Sequence, residues 1–369
     1  MSAAKRQSDM KDDPLIEQYG WSDRLRQDFA PHAALGHTPG RILVQQRGLY
    51  SVASDDGELS AQLSGRLARE APEGGYPAVG DWVALTARPA EGSATIHAVL
   101  PRRTAFVRKA ADSVQTLQVI AANIDVAFVV ASMNADLKGR RLERYLAAAW
   151  QSGARPVVVL TKVDLAVDPD AAVAQVLAVA GDAPVLAVSA LTGEGMAALA
   201  AHLQAGETCV LVGSSGVGKS TLVNALAGEV LMATGAIRED DARGRHTTSH
   251  RELSPLPGGA LIIDTPGLRE LGLMDADEGL GAVFEDIEAL TAQCRFNDCG
   301  HTGEPGCAVR AALEAGTLDP GRWGNFQKLQ RELSHHERKE DRLAREAERK
   351  RWIAINKAQR SHRKQKAWD

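Results

Sequence analysis

The stretch Gly213-Ser214-Ser215-Gly216-Val217-Gly218-Lys219-Ser220 constrains this chain more than any other. It matches G-x-x-x-x-G-K-[ST] with no mismatch. The apolar run Cys209-Val210-Leu211-Val212 leads into it, and Thr221-Leu222-Val223-Asn224-Ala225-Leu226 follows at helical spacing. A short strand, a glycine turn and a helix start form the setting of a phosphate-binding loop. Glycines let backbone N–H groups turn inward around phosphate oxygens, and the helix N-terminus adds partial positive charge. Lys219 is expected to reach the β- and γ-phosphates as a catalytic cation. Ser220 is expected to place its hydroxyl on Mg²⁺, with Thr221 beside it.

Around this loop the chain changes texture three times. Short strand-like runs lie at 42–44, 49–52, 59–63, 81–85 and 94–99, punctuated by glycines. Five such runs predict a small antiparallel barrel of the OB kind over 36–110. An unspecialised barrel would have the same strand count. From about 115 to 276 strands alternate with helices, at 124–130, 156–160, 185–188, 209–212 and 260–263. That alternation predicts a mostly parallel sheet with helices on both faces, an α/β P-loop domain. Residues 277–335 read as helical with a Cys/His cluster, and 336–369 as a charged tail.

Each polar motif of the α/β part follows a strand, where ligands bind in such sheets. Asp264 ends one run like a Walker-B aspartate and is expected to hold Mg²⁺. Gly267, in Asp264-Thr265-Pro266-Gly267, is expected to offer its N–H to the γ-phosphate. Thr161-Lys162-Val163-Asp164 looks like a guanine-reading element. The Asp164 carboxylate can accept from guanine N1–H and the 2-amino group, a donor pair adenine lacks. Ser189-Ala190-Leu191 looks like the loop that backs the guanine carbonyl with a backbone N–H. GTPases normally place these two elements after the D-x-P-G motif. Here they come first, which a circular permutation explains.

Cys294, Cys299, His301 and Cys307 offer three thiolates and an imidazole. That is a closed tetrahedral zinc set, structural because no position stays open. Three free buried cysteines are the alternative. Four cysteines in 369 residues are too few for a disulfide framework and favour a reducing compartment. The polar start, 1–14, has no apolar signal-peptide core, and no run approaches the length of a bilayer span. The expectation is a cytoplasmic, monomeric protein with no membrane partner. The net charge of -4 hides a basic tail in which Arg349, Lys350, Arg351, Lys357, Arg360, Arg363, Lys364 and Lys366 are opposed only by Asp369. Trp352 and Trp368 are interleaved with them. Such a tail suits RNA, or is a solvated charged helix.

These motifs together resemble the circularly permuted GTPases of small-ribosomal-subunit biogenesis, the ribosome small subunit-dependent GTPase A family. The resemblance spans the barrel with Val79-Gly80-Asp81-Trp82-Val83, the permuted domain and the Cys/His module. It implies that Gly244-Arg245-His246-Thr247-Thr248 is switch I. Thr247 or Thr248 would then ligate Mg²⁺, and His246 would position water, unless it is an ordinary loop histidine. It also implies the small (30S) subunit and its rRNA as partners, with GTP and GDP as ligands. Leu268 follows D-T-P-G where a glutamine would orient the attacking water, so hydrolysis without a partner should be slow. Thr161 stands where asparagine is commoner. Two rival functions remain: an RNA-binding assembly factor using nucleotide structurally, and a P-loop ATPase.

Overall fold

The computed structural model describes residues 14–46, 48–71, 74–109, 117–133, 137–231, 251–264 and 283–331. Of these, 14–264 and 283–285 belong to one compact unit, and 286–331 to a second.

The first unit begins with two helices, Leu15–Gln18 and Asp23–Ala33. The apolar residues between 15 and 29 read as one helix. The chain instead turns at Gly20, whose φ is 86°, and restarts at Ser22, whose hydroxyl caps Leu25 N–H. Ile16, Trp21, Leu25 and Phe29 then pack on Trp82, Ala84 and Leu100.

Trp82 belongs to the barrel: β1 Thr38–Gln46, β2 Leu49–Ser54, β3 Gly57–Leu63, β4 Trp82–Arg88 and β5 Ser93–Val99. Their order is β1-β2-β3-β5-β4, and β4 pairs back to β1, so no edge is left within the barrel. The β3–β5 pair is parallel and the others antiparallel. This is the predicted OB-like barrel. Strand alternation fills it: in β3, Leu59 and Ala61 face in while Glu58, Ser60 and Gln62 face out.

A hairpin that the sequence reading did not anticipate follows, β6 Ala105–Lys109 and β7 Leu117–Ala122. It spans the expected boundary between 110 and 115. Next come β8 Val126–Ser132, β9 Arg155–Thr161, β10 Val185–Val188, β11 Thr208–Val212, β12 Glu252–Pro255 and β13 Leu261–Asp264. Their spatial order is β10-β9-β8-β11-β13-β12, all parallel except β12. The parallel strands are nearly all apolar because both faces are buried. β12 lacks an apolar run, which is why the pattern missed it. It closes the sheet edge and pairs with β1 at Val44↔Glu252, so barrel and α/β sheet form one eleven-stranded sheet.

Arg41 of β1 secures that junction. Its guanidinium is buried and donates to Tyr19 O, to Gly80 O at 3.4 Å, to Asn123 O at 3.4 Å and to Thr208 Oγ1 at 2.7 Å. Burial lowers its pKa to about 10, so it stays charged at neutral pH. Gly80, at φ 88°, lies so close to the α/β part that a Cβ would stand 2.2 Å from Ala122 O.

The second unit contains the helices Glu285–Thr291 and Ala308–Glu314, and a third from 320 to the last described residue, 331. Ile287, Val309, Ala312, Leu318, Phe326 and Leu329 are buried in it. Arg322 grips Asp286 with two hydrogen bonds, at 2.7 and 3.0 Å. Among the described residues no helix is long and apolar enough to cross a membrane.

Candidate nucleotide site and metal centre

Parallel strands bring their C-terminal ends to one edge, and that edge collects the polar motifs. Val188 is in register with Thr161, and Thr161 with Ser132. β11 runs between β8 and β13, so the phosphate loop leaves the middle of the edge.

The loop needs its glycines. Gly213 has φ 151°, and a Cβ there would stand 2.3 Å from Val130 O. Gly216 and Gly218 have φ 79° and 92°, in the left-handed region that side chains resist. Gly218 starts the helix Lys219–Ala227. Lys219 Nζ donates to Gly213 O at 2.7 Å and to Ser214 O at 2.5 Å, so the ammonium lies over the loop. Val217 is buried in the core and anchors the loop from below.

Thr161 explains itself at this point. The residue is 4% exposed. The hydroxyl lies 2.6 Å from Val217 O and 3.2 Å from Ala131 O, and its single proton serves the nearer. The residue therefore fastens the Thr161–Asp164 element to the phosphate loop. Lys162, at φ 63°, lays its Nζ 2.9 Å from Gly216 O. Val163–Leu165 form a 3₁₀ turn that leaves Asp164 exposed.

The loop after β10 is braced from within. Ser189 is buried, donates its N–H to Glu194 O at 2.9 Å, and accepts Thr192 N–H on its hydroxyl at 3.2 Å. Ala190 is half-buried and Leu191 exposed. Asp264 ends β13, the immediate neighbour of β11. His246, Thr247, Thr248, Gly267 and Leu268 lie outside the described residues, as does the basic tail.

One residue at the loop escaped sequence reading. Arg141, in the helix Gly139–Gln151 after β8, donates from Nη1 to Ser214 Oγ at 3.0 Å. The signal was available in the helix start Lys138-Gly139-Arg140-Arg141, which carries no acid in its first turn.

In the second unit the ligating atoms of Cys294, Cys299, His301 and Cys307 all lie within 4.8 Å of one another. Cys294 Sγ and Cys307 Sγ are 4.0 Å apart, and His301 Nδ1 lies 3.6 and 3.5 Å from them. A zinc tetrahedron needs about 3.8 Å between sulfurs and about 3.6 Å between sulfur and nitrogen, given its bond lengths. The cluster is therefore sized to hold one zinc ion. The loop between ligands is clamped by Glu304, which accepts N–H groups of Gly303, Thr302 and Gly300 at 2.8–2.9 Å. Those backbone donors, Gly303 first, hold its carboxyl down at about 2. His301 meets the Trp323 ring edge to face, with centroids 5.4 Å apart. Cys209 takes no part: it is buried in β11, and burial pushes its thiol well above the ordinary range.

A family model described as RsgA GTPase matches residues 99–274. A protein of Opitutus terrae called small ribosomal subunit biogenesis GTPase RsgA is 48% identical over 356 residues, 94% of this chain and 97% of that one. The chain belongs to the RsgA GTPase family. A relative of the same name from Streptomyces coelicolor is 46% identical, over 93% of this chain and 94% of its own. Among solved structures, YjeQ from Thermotoga maritima is similar at TM-score 0.60 and 26% identity, over 80% of this chain and 98% of that one. YloQ, described as a circularly permuted GTPase, shares the fold at TM-score 0.58 and 24% identity, over 81% and 96%. Membership in this family accounts for the motif order, with the guanine-type elements preceding the phosphate loop.

Proposed function

We propose that this chain binds GTP at the β9-β10-β11-β13 edge and hydrolyses it to GDP and phosphate during small-ribosomal-subunit assembly. The observation that carries this reading is the fastening of Thr161 and Lys162 to the carbonyls of Val217 and Gly216. Base-reading and phosphate-binding elements form one piece, so the base selected by Asp164 sets where the phosphates fall. Gly213 to Thr221 cradle the phosphates, and Ser189, Ala190 and Leu191 complete the base pocket. Ser220, in the first turn of the helix that follows β11, and Asp264, at the end of neighbouring β13, form a hard-oxygen donor set suited to Mg²⁺, with Thr247 or Thr248 adding a third ligand. Bound there, Mg²⁺ neutralises charge on the phosphate oxygens.

Leu268 has no group that can orient water, so turnover is slow until a partner places His246. The sheet offers a route for that partner: β12 starts four residues after Thr248 and is paired with barrel strand β1. RNA of the subunit held by the barrel, or by the basic tail, then biases switch I. Zinc in the Cys₃His cluster is structural. The protein works as a monomer in the cytoplasm, a reducing compartment that its thiols, none of them in a disulfide, suit.

Phosphate release under multiple turnover, with GTP or ATP and with or without small subunits, tests this reading. The expected result is slow release from GTP, none from ATP, and strong stimulation by subunits. Equal use of ATP overturns the guanine assignment. Absence of turnover even on the subunit favours a structural role for the nucleotide.

A further inference from the structure

The helix Gly139–Gln151 begins against the usual electrostatic preference. A helix N-terminus favours acids and disfavours cations. In the same unit Asp23–Ala33 has Ser22 as cap and Asp23 in its first turn, and Pro169–Ala180 has Asp168 and Asp170, while Gly65–Glu70, Met196–Ala201 and Lys219–Ala227 carry no acid there. Gly139–Gln151 instead has Lys138 at its cap, without a side-chain cap bond, then Arg140 and Arg141 and no acid in the first turn. Local rules of this kind are broken where function requires it.

The second observation says where the charge points. Arg141 Nη1 is seated 3.0 Å from Ser214 Oγ, inside the phosphate loop. Lys219 Nζ holds the carbonyl of the same residue at 2.5 Å. Ser214 is thus pinned by a cation on its side chain and another on its backbone. Arg141, Tyr145, Ser214 and Val217 line one small cleft, so the guanidinium and the loop share a wall. Arg141 thus ties the first turn of Gly139–Gln151 to the loop that opens the helix Lys219–Ala227.

We propose that Arg141 is a positioning residue of the phosphate loop, whose fixed charge favours the triphosphate and its transition state over the diphosphate. The inference rests on reading 213–220 as the phosphate loop. A pre-set cation next to the loop needs no reorganisation as charge develops, and this is the form of electrostatic help that lowers a barrier most. It also supplies charge compensation in a chain whose Leu268 supplies none.

The test compares Arg141→Gln, Arg141→Lys and Ser214→Ala with the unaltered full-length protein, and uses Lys219→Ala as control. Affinities for GDP and for a non-hydrolysable GTP analogue are measured, with single-turnover hydrolysis and thermal melting. Arg141→Gln keeps a donor for Ser214 but removes the charge. It should slow hydrolysis about tenfold and lower the preference for triphosphate about fivefold, with melting unchanged. Arg141→Lys should keep most of both. Ser214→Ala, which unseats the guanidinium, should lose about threefold in rate. Wild-type hydrolysis and discrimination in Arg141→Gln overturn the proposal. So does equal impairment of the glutamine and lysine variants. If Arg141→Gln fails to fold, wild-type discrimination in Ser214→Ala overturns it instead. Lys219→Ala separates the two levels: if it still binds both nucleotides normally, the phosphate-loop reading fails and takes Arg141 with it.

Discussion

The nucleotide edge and the Cys₃His cluster are candidate ligand sites built by opposite means. The first gathers residues from Thr161 to Asp264, on four strands, and much of its surface is backbone held by sheet register. The second draws all its donors from the short segment 294–307, between two seven-residue helices. A sheet edge keeps its shape because the buried strands beneath it do. A short loop with little core has no such support, so the ligand itself has to supply the order. The nucleotide site should therefore tolerate loss of its ligand, and the cluster should not.

The largest effect expected is from Cys299→Ser, or from stripping the metal with a chelator. Structural zinc contributes roughly 10–16 kcal/mol of apparent binding energy in small zinc domains. The second unit should lose helical signal, and Cys294 and Cys307 should become open to alkylation while buried Cys209 stays protected. GTP affinity should stay within about twofold, since the nucleotide edge belongs to the other unit. Circular dichroism, elemental analysis and mass spectrometry of labelled thiols read these outcomes. Protein purified without chelator that contains no zinc would refute the assignment.

The reverse lesion is Asp164→Asn. It exchanges an acceptor for a donor against guanine, and the cost of leaving charged-type hydrogen bonds unmade is about 3 kcal/mol, or on the order of a hundredfold in affinity. Xanthine nucleotides should gain. The helical signal of the second unit and its zinc content should not move. GTP affinity that survives the substitution would remove Asp164 from the base pocket.

A smaller effect probes how the nucleotide edge is held together. Thr161→Val removes the hydroxyl and leaves Val217 O without that donor. Stability should fall by about 1–2 kcal/mol. Base preference should be kept, because the hydroxyl is spent on the Val217 carbonyl of the loop. A shift toward adenine nucleotides would show that Thr161 reads the base after all.

The smallest effect lies outside both sites, at the barrel rim. His37 stacks on His97 with centroids 4.6 Å apart, and His32 lies 6.1 Å from His37. Burial first, then the nearby His37, lowers the pKa of His32 and of His97. A histidine lowered in the folded state binds fewer protons there than when unfolded. Stability therefore rises with pH through this range and is lost as pH falls below about 6.5, the ordinary histidine value. Denaturant midpoints at several pH values should show a shallow acid loss that His32→Gln with His97→Gln flattens. An identical pH profile in that double variant would place the acid sensitivity elsewhere.

Short-range chemistry was legible in the chain itself. Gly213 to Ser220 and the Cys294–Cys307 spacing carry their meaning in fixed local offsets, and the apolar runs at 124–130, 156–160 and 209–212, alternating with helical segments, read as strands of a parallel sheet. Strands of a parallel sheet end on one side, so the grouping of Thr161, Ser189, Gly213 and Asp264 also followed from order alone. Direction and partnership did not. The Thr161 hydroxyl could have faced a base or a loop, and the pairing of β9 beside β8 decided for Val217 O. Arg141 and Ser214 are 73 residues apart, and only the packing of the helix after β8 against the loop brings them together. β12 has too few apolar residues to announce a strand, and it became one because β13 offered an edge and β1, beyond the stretch 38–41 that pairs with β4, offered Val44. Arg41 would read as a surface charge, yet the junction of barrel and sheet surrounds it with three carbonyls and the Thr208 hydroxyl. A local motif sets which atoms are available, but hydrogen bonds across long loops depend on which faces the hydrophobic core has already brought into contact.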